Sequence, residues 1–220
     1  MSQALLFDVN ETLLDLTALD PLFETIFGDR AARHDWFERA LMSALTVTAT
    51  GGYQPFDGVA AAALSVTGEH FGQRPNPDER ARIATAMRRL PAHPEVAAAL
   101  DQLYRAGYRL VALSNSPGEM LHAQLDHAGL LPRFDAVLSA GEAGALKPSP
   151  AVYRYATEQM TIAPAEAVMI AAHGWDIAGA SRAGLATGFV ARPGYYPDPL
   201  FPAPDYRAPD LAAMVEAISA

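Results

Sequence analysis

Five short runs of apolar residues constrain the fold of this chain more than any other feature of its sequence. Each run is nearly continuous in hydrophobic side chains and is bounded by polar or turn residues, which is typical of strands buried on both faces of a sheet. Helical stretches separate most of the runs, so the sequence predicts an α/β fold with a Rossmann-like parallel sheet as its core. The predicted strands are Ala4–Phe7, Tyr108–Leu113, Ala136–Ser139, Val168–Ala172 and Ala186–Val190.

The gap between the first two runs is too long for an ordinary connection. A crossover between parallel strands needs only about a dozen residues, whereas residues 14–95 contain no strand pattern. The sequence therefore predicts a helical cap subdomain at 14–95, inserted into an α/β core formed by 1–13 and 96–220. Periodic apolar side chains predict three helices in the insertion, at Asp35–Thr48, Val59–Phe71 and Pro77–Leu90.

The segment Arg192–Pro209 carries six prolines and continues none of the predicted helices or strands. Because proline lacks a backbone N–H and fixes its φ, this density prevents a helix or a central strand. The sequence predicts an ordered surface loop, or a flap packed by Tyr195, Tyr196 and Phe201.

The composition argues against several classes of function. The formal net charge of −9 comes from 25 acidic and 16 basic side chains, so nucleic acid and anionic membrane surfaces are unsuitable partners. The chain has no cysteine, which excludes disulfides, a thiolate nucleophile and cysteine-based metal sites. No apolar run approaches the roughly 18 residues of a membrane-spanning helix, and the first residues lack the pattern of a secretory signal. We therefore expect a cytoplasmic protein.

Several polar side chains lie at the predicted carboxyl ends of the strands. Because these ends meet at one edge of a parallel sheet, we expect the side chains to converge on one site. They are Asp8 after the first strand, Ser114 and Asn115 after the second, Lys147 after the third and Asp176 after the fourth.

These residues match the motifs of a known superfamily in type and order. The chain resembles the haloacid dehalogenase (HAD) superfamily over essentially its whole length, and the helical insertion corresponds to that family's cap. In detail it is similar to the type II L-2-haloacid dehalogenase branch. The residues that carry this likeness are Ser114-Asn115, Lys147-Pro148 followed by Val152-Tyr153, and Trp175-Asp176 followed by Gly179-Ala180.

The resemblance implies a hydrolase that converts small L-2-haloacids to 2-hydroxy acids and halide through an aspartyl ester, with neither metal nor organic cofactor. Asp8 would be the nucleophile, since a fixed carboxylate with only partly stabilised charge can displace a halide. Lys147 would keep Asp8 ionised and bind the substrate carboxylate, while Asp176 would anchor Lys147. Ser114 and the backbone N–H groups after Asp8 would form an anion cradle.

The resemblance also implies a set of substrate-contacting residues. Phe56 and Trp175 offer apolar surface for a small alkyl chain and a weakly hydrated halide, although such residues also pack in cores. Tyr153 and Asn115 either bond into the site or only hold their own segments. The full set is Val9, Asn10, Thr12, Arg39, Phe56, Asn115, Tyr153, His173 and Trp175.

Three departures from the branch pattern affect this substrate site. The position of the halide-binding arginine holds Phe37, so Arg39 would have to replace it from another direction. Asn10 stands where the branch has a tyrosine, and Ala171-Ala172-His173 stands in place of Ser-Ser-Asn. We hypothesise that His173 compensates for the lost serine and asparagine, either by binding halide in its charged form or by orienting the hydrolytic water.

Two other functions stay open at this stage. A magnesium-dependent phosphatase of the same superfamily would need a second acid at Asn10 and an acidic ligand at Ala171, and neither is present. A non-catalytic protein of this fold would bind a ligand or partner, although the pairing of Asp8 with Lys147 argues against it. The sequence favours the dehalogenase, with a homodimer as a further expectation and the halogen and chain length undetermined.

Overall fold

A parallel sheet forms the centre of the protein. The structure is a computed structural model, and it describes residues 4–219. Within these residues the strands are β1 (Ala4–Phe7), β2 (Arg109–Ser114), β3 (Ala136–Ser139), β4 (Ala167–Ala171), β5 (Ala186–Val190) and β6 (Tyr206–Ala208). Their order across the sheet is β3-β2-β1-β4-β5-β6, and every neighbouring pair is parallel. The predicted fold class is confirmed.

Helices cover the sheet and fill the long connection after β1. The helices are α1 (Asp20–Phe27), α2 (Ala31–Ala49), α3 (Phe56–His70), α4 (Pro77–Met87), α5 (Val96–Arg105), α6 (Gly118–His127), α7 (Pro150–Met160), α8 (Gly174–Arg182) and α9 (Leu211–Ser219). Every residue of β1 and β4 is buried. This burial on both faces explains why the strands read as continuous apolar runs. Within residues 4–219, no helix combines the length and apolar character needed to cross a membrane.

The predicted strand positions agree closely with the structure. Three of the five predicted strands have the observed bounds, and β2 and β4 are displaced by one residue from the predicted ranges. The sixth strand was missed. It lies inside the proline-rich segment, where Tyr206–Ala208 pairs with β5 at the edge of the sheet. An edge strand needs only one bonded side, so it tolerates the nearby prolines.

The same segment corrects a second expectation. Tyr195 packs its ring edge-on against His173, with the centroids 5.0 Å apart. Tyr196, by contrast, is 77% exposed. The flap is therefore held by Tyr195 and not by its neighbour.

Four helices, α1 to α4, lie between β1 and α5. The sequence predicted three of them, with α2 beginning four residues earlier than expected. It missed α1, a helix of eight residues that ends at Gly28 with φ 77°. The start of α4 is a capping box, in which the Asn76 side chain accepts from the Glu79 backbone N–H and the Glu79 carboxylate accepts from that of Asn76.

The strand order creates a crevice at one edge of the sheet. The chain leaves β1 towards β2 on one side and reaches β4 on the other, so the segments that follow these two central strands diverge. Ligand sites of open α/β sheets lie at such switch points. Asp8 follows β1 there, and His173 follows β4.

Candidate active site

Asp8 lies at the carboxyl edge of the sheet and is only 5% exposed. Its backbone N–H donates to the carbonyl oxygen of Ile170 at 3.0 Å, which fixes it to β4. Oδ1 accepts from Lys147 Nζ at 2.8 Å, while Oδ2 accepts from Thr12 Oγ1 at 2.6 Å and from His173 Nδ1 at 3.0 Å. Burial alone would raise the pKa of Asp8, but Lys147 and His173 hold it well below its usual range. Asp8 is therefore a carboxylate.

Lys147 is the only lysine of the chain, and it is 1% exposed. Its ammonium donates to Asp8 Oδ1, to Asp176 Oδ2 at 2.6 Å and to the carbonyl oxygen of Leu113 at 3.0 Å. An ammonium has three protons, so all of its donors are used. Its backbone N–H donates to Asn115 Oδ1 at 2.8 Å, which fixes the loop after β3. Burial would lower the pKa of Lys147, but the charges of Asp176 and Asp8 raise it above its usual value.

Asp176 stands behind Lys147, fully buried in the first turn of α8. Its Oδ1 accepts from the Tyr153 hydroxyl at 2.6 Å, and its Oδ2 accepts from Lys147. Tyr153 is also fully buried, on α7. This carboxylate therefore holds the lysine in place from the side away from Asp8.

His173 joins Asp8 to a second buried carboxylate, that of Glu11. Its Nδ1 lies 3.0 Å from Asp8 Oδ2, and its Nε2 lies 3.0 Å from Glu11 Oε2. A carboxylate can only accept, so both ring nitrogens carry protons and the ring is an imidazolium. Burial would lower the pKa of His173, but the hydrogen bonds and charges of Asp8 and Glu11 outweigh it and raise the pKa to about 10.

Glu11 is itself held in an unusual backbone conformation. Its φ is 64°, in the left-handed region that residues with a side chain rarely adopt. Its carboxylate accepts from His173, from the Tyr195 hydroxyl and from Arg33 Nη1 at 3.2 Å. Arg33 also donates through Nε to Asp20 at 2.8 Å. Such strain persists only where the surrounding contacts impose it, and here they aim the carboxylate at His173.

A cavity of about 20 Å³ lies above Asp8. Its polar side is formed by Asp8, Lys147, Asn10, Ser114, Asn115 and His173, and its apolar side by Phe37, Leu41, Phe56 and Trp175. The rings of His173 and Trp175 stack at 5.1 Å between centroids. One carboxylate flanked by two cations therefore faces a small chamber with apolar walls.

A model of the haloacid dehalogenase-like hydrolases matches residues 3–184. The chain belongs to this family. The (S)-2-haloacid dehalogenase 1 of Pseudomonas sp. strain CBS-3 is 32% identical over 187 residues, which are 84% of this chain and 82% of that protein. This relative confirms the predicted superfamily and its L-2-haloacid dehalogenase branch.

Solved structures support the same family assignment for this HAD hydrolase. The L-2-haloacid dehalogenase of Xanthobacter autotrophicus with covalently bound chloropropionic acid superimposes with a TM-score of 0.92 at 27% identity, covering 100% of this chain and 99% of that one. A phosphoserine phosphatase of Thermus thermophilus is 37% identical over 139 residues, 60% of this chain and 55% of that protein. The sequence likeness to the phosphatase therefore covers only part of each chain.

The structure brings most of the predicted site residues of the HAD hydrolase together. Eight of them line the cavity: Asp8, Asn10, Phe56, Ser114, Asn115, Lys147, His173 and Trp175. Three others are buried behind the lining. Thr12 donates to Asp8, Tyr153 donates to Asp176, and Val9 packs in the core. None of these three residues belongs to the cavity lining, whereas the sequence placed them in contact with substrate.

The prediction for Arg39 is wrong. Its guanidinium forms two hydrogen bonds to Asp35, at 2.6 and 2.9 Å, and lies 3.2 Å from His70 Nδ1. Arg39 is absent from the cavity lining, and Phe37 on the same helix is present. The two residues are two positions apart, so they point to different sides of the helix.

Sequence reasoning placed neither Glu11 nor Arg33 nor Tyr195 in the site, and it assigned Tyr195 only to the packing of the flap. Each looks like an ordinary charged or aromatic surface residue in its own segment, and they come together only in the folded chain. Asn10 also has a role that its type does not disclose. Its amide donates to Ser116 Oγ at 3.2 Å and accepts from Gln124 Nε2 at 3.1 Å, so it ties the turn after β1 to α6.

Proposed function

We propose that this HAD hydrolase is an L-2-haloacid dehalogenase that forms an ester on Asp8. The observation that carries the proposal is the buried Asp8 carboxylate, held between Lys147 and His173 at the base of a small chamber with apolar walls. The Pseudomonas and Xanthobacter relatives named above, which are 2-haloacid dehalogenases by name, support the same reaction.

In the first step an oxygen of Asp8 attacks C2 of the haloacid. The new C–O bond forms as the carbon–halogen bond breaks, and the halide leaves with the bonding electron pair. Attack from the side opposite the halide inverts C2. Ser114 and Asn115 face the same cavity and would bind the substrate carboxylate by hydrogen bonds, while the positive charge of Lys147 would attract it and the apolar walls suit a weakly hydrated halide.

In the second step His173 serves as the base. Once Asp8 is an ester, one of the two negative charges that favour the imidazolium is gone, so the ring releases its Nδ1 proton to solvent. Neutral His173, held at Nε2 by Glu11, takes a proton from a water that attacks the ester carbonyl. The tetrahedral carbon expels the 2-hydroxy acid, and the imidazolium supplies the proton of its hydroxyl. The Asp8 carboxyl then returns a proton to His173, so the net products are hydroxy acid, halide and one proton.

The donor set does not fit the magnesium site of a phosphatase of this fold. Magnesium prefers oxygen ligands in octahedral geometry. Ala171 supplies no side-chain oxygen, and Asp176 is already bonded to Lys147 and Tyr153. The Asp8 oxygen that does not bind Lys147 is bonded to His173. No step of the proposed reaction passes through a metal.

We also propose that residues 14–95 act as a cap over a core formed by 1–13 and 96–220. Phe37 and Leu41 from α2 and Phe56 from α3 supply three apolar walls of the cavity, whereas Asp8 and Lys147 come from the core. Substrate entry into so small a chamber then requires the two parts to separate. Cytoplasmic location and a homodimer stay predictions from the sequence.

The test is halide release from (S)-2-chloropropionate, chloroacetate and fluoroacetate in EDTA, comparing wild type with Asp8→Asn. We expect release by wild type and a loss of at least about 10⁴-fold in Asp8→Asn, with Asp126→Asn, an exposed acid on α6, as the matched control. A single turnover in ¹⁸O-water should place the label in the Asp8 carboxylate. Phosphate release from p-nitrophenyl phosphate with magnesium, without any halide, would overturn the proposal.

A further inference from the structure

A second, apolar cavity of about 150 Å³ lies next to the catalytic chamber. It is enclosed by α3, α4 and the start of α6. Its walls include Ala60, Leu64, Ile83, Met87 and Met120. An apolar cavity of this size is large enough to hold a benzene ring.

Phe56 separates the two cavities. Within residues 4–219 it is the one residue that lines both the catalytic chamber and the apolar cavity. It is the first residue of α3, directly after Pro55, and it is 6% exposed. Its ring therefore forms the partition between a chamber of about 20 Å³ and a neighbour several times larger.

We propose that Phe56 sets the chain-length limit of this enzyme, and that the apolar cavity is a latent subsite for the alkyl chain of a longer 2-haloacid. The inference rests on the proposed function. The alkyl group on C2 must lie against the apolar walls, because the opposite side of the chamber carries Lys147, Ser114 and Asn115. A methyl group fits against the ring of Phe56. A butyl chain would need the space that this ring occupies.

The expected gain follows from the apolar surface that the subsite offers. Each methylene moved from water into an apolar site improves binding by about fourfold. A chain with three further carbons than 2-bromopropionate would fill most of the second cavity once the partition is removed. We therefore expect kcat/KM for the longer acid, relative to that for the shorter one, to rise by more than the smaller side chain lowers activity in general.

The experiment compares kcat/KM for (S)-2-bromohexanoate and (S)-2-bromopropionate in wild type, Phe56→Leu and Phe56→Ala. We expect the ratio of hexanoate to propionate to rise at least about tenfold in Phe56→Ala, with Phe56→Leu between it and wild type. Val66→Ala changes an exposed residue of the same helix, and it should leave the ratio unchanged.

A refilled variant tests the cavity itself. Ala60 lines only the second cavity, so Phe56→Ala combined with Ala60→Phe should return the ratio towards the wild-type value. An unchanged ratio in Phe56→Leu and Phe56→Ala, both still releasing bromide from 2-bromopropionate, would overturn the inference alone. A gain that persists in the refilled variant would also overturn it. No bromide from either acid with wild type would overturn the proposed function together with the inference.

Discussion

The two oxygens of Asp8 face two differently built parts of the molecule. On the Oδ1 side, Lys147, Asp176 and Tyr153 are at most 1% exposed and bonded to one another. On the Oδ2 side, His173 leads to Glu11, and Glu11 borders a separate cavity of about 330 Å³ that also touches Arg33, His93, Arg192 and Tyr195. The Lys147 side is sealed, whereas the His173 side, the open side, lies next to a large cavity bordered by several charged residues.

This difference assigns different tasks to the two sides. A buried ammonium whose three protons are all bonded cannot exchange a proton without breaking the site, so the Lys147 side fixes charge and geometry. The proposed reaction releases one proton per turnover, and this proton leaves from Nδ1 of His173 while Nε2 stays bonded to Glu11. The ion pairs form one connected series: Lys147 binds Asp176 and Asp8, His173 binds Asp8 and Glu11, and Arg33 binds Glu11 and Asp20.

The largest effect should come from the sealed side. Lys147→Met leaves Asp176 buried without a cation and Asp8 with His173 alone, so we expect turnover to fall about 10³-fold or more and the unfolding free energy to fall by about 3–5 kcal/mol. Halide release and urea unfolding measure the two quantities. Arg154→Met removes an exposed cation from α7 and should change neither. Retained stability in Lys147→Met would mean that the two carboxylates find another partner. The sealed side would then no longer differ from the open side in fixing charge and geometry.

On the open side, His173→Ala should separate the two chemical steps. We expect steady-state turnover to fall about 10²–10⁴-fold, because the base of the second step is gone. The first step needs Asp8 and Lys147, so a rapid burst of about one halide per active site should precede the slow phase. Quenched-flow halide detection measures the burst. A single slow phase without a burst would instead assign His173 to halide departure, the other part of the sequence hypothesis.

Glu11→Gln should change the pH dependence more than the turnover at neutral pH. The wild-type imidazolium persists towards a pKa of about 10 because Asp8 and Glu11 both favour it. With the Glu11 charge removed, the pKa of His173 falls. Because the second step needs neutral His173, the acidic limb of kcat should move to lower pH. The groups around His173 are Asp8, Glu11, Lys147 and the Tyr195 hydroxyl, and the substitution neutralises only one of them. An unshifted limb would show that Glu11 does not hold the proton.

The same pKa shift carries a stability consequence with a definite sign. A group whose pKa is raised on folding stabilises the fold fully below its unfolded value, and the contribution is lost as the pH rises through the folded value. For His173 this window runs from 6.5 to about 10. Urea unfolding of wild type should lose stability across it more steeply than that of His173→Ala.

The smallest effect should come from the outer end of the open side. Tyr195→Phe removes the hydroxyl that donates to Glu11, and we expect the unfolding free energy to fall by about 1 kcal/mol. Tyr196→Phe is the matched control, since that neighbour is 77% exposed and should change little. Equal effects in the two variants would mean that the Tyr195 hydroxyl is solvated in solution.

The residues of the sealed side could be predicted from the sequence more fully than those of the open side, for a physical reason. Asp8, Lys147 and Asp176 each follow a strand of the parallel sheet, so their positions along the chain predict their meeting. Glu11 instead meets His173 and Tyr195 through a turn with positive φ and through a proline-rich segment at the far end of the chain. No local pattern encodes such a contact. Arg39 was expected to reach the site from another direction, but its place on α2 directs it to Asp35 and His70 instead.

The single lysine has a further consequence. Because Lys147 carries the only ε-amino group of the chain and keeps it bonded on all sides, acylating reagents can reach that amine only when the site opens. If the proposed cap and core separate, the rate of lysine acylation in the native protein therefore measures that opening. When Asp8 becomes an ester, the ammonium loses one of its two anionic partners, and the same amine should react faster. One side chain thus reports both the motion that admits substrate and the progress of the reaction.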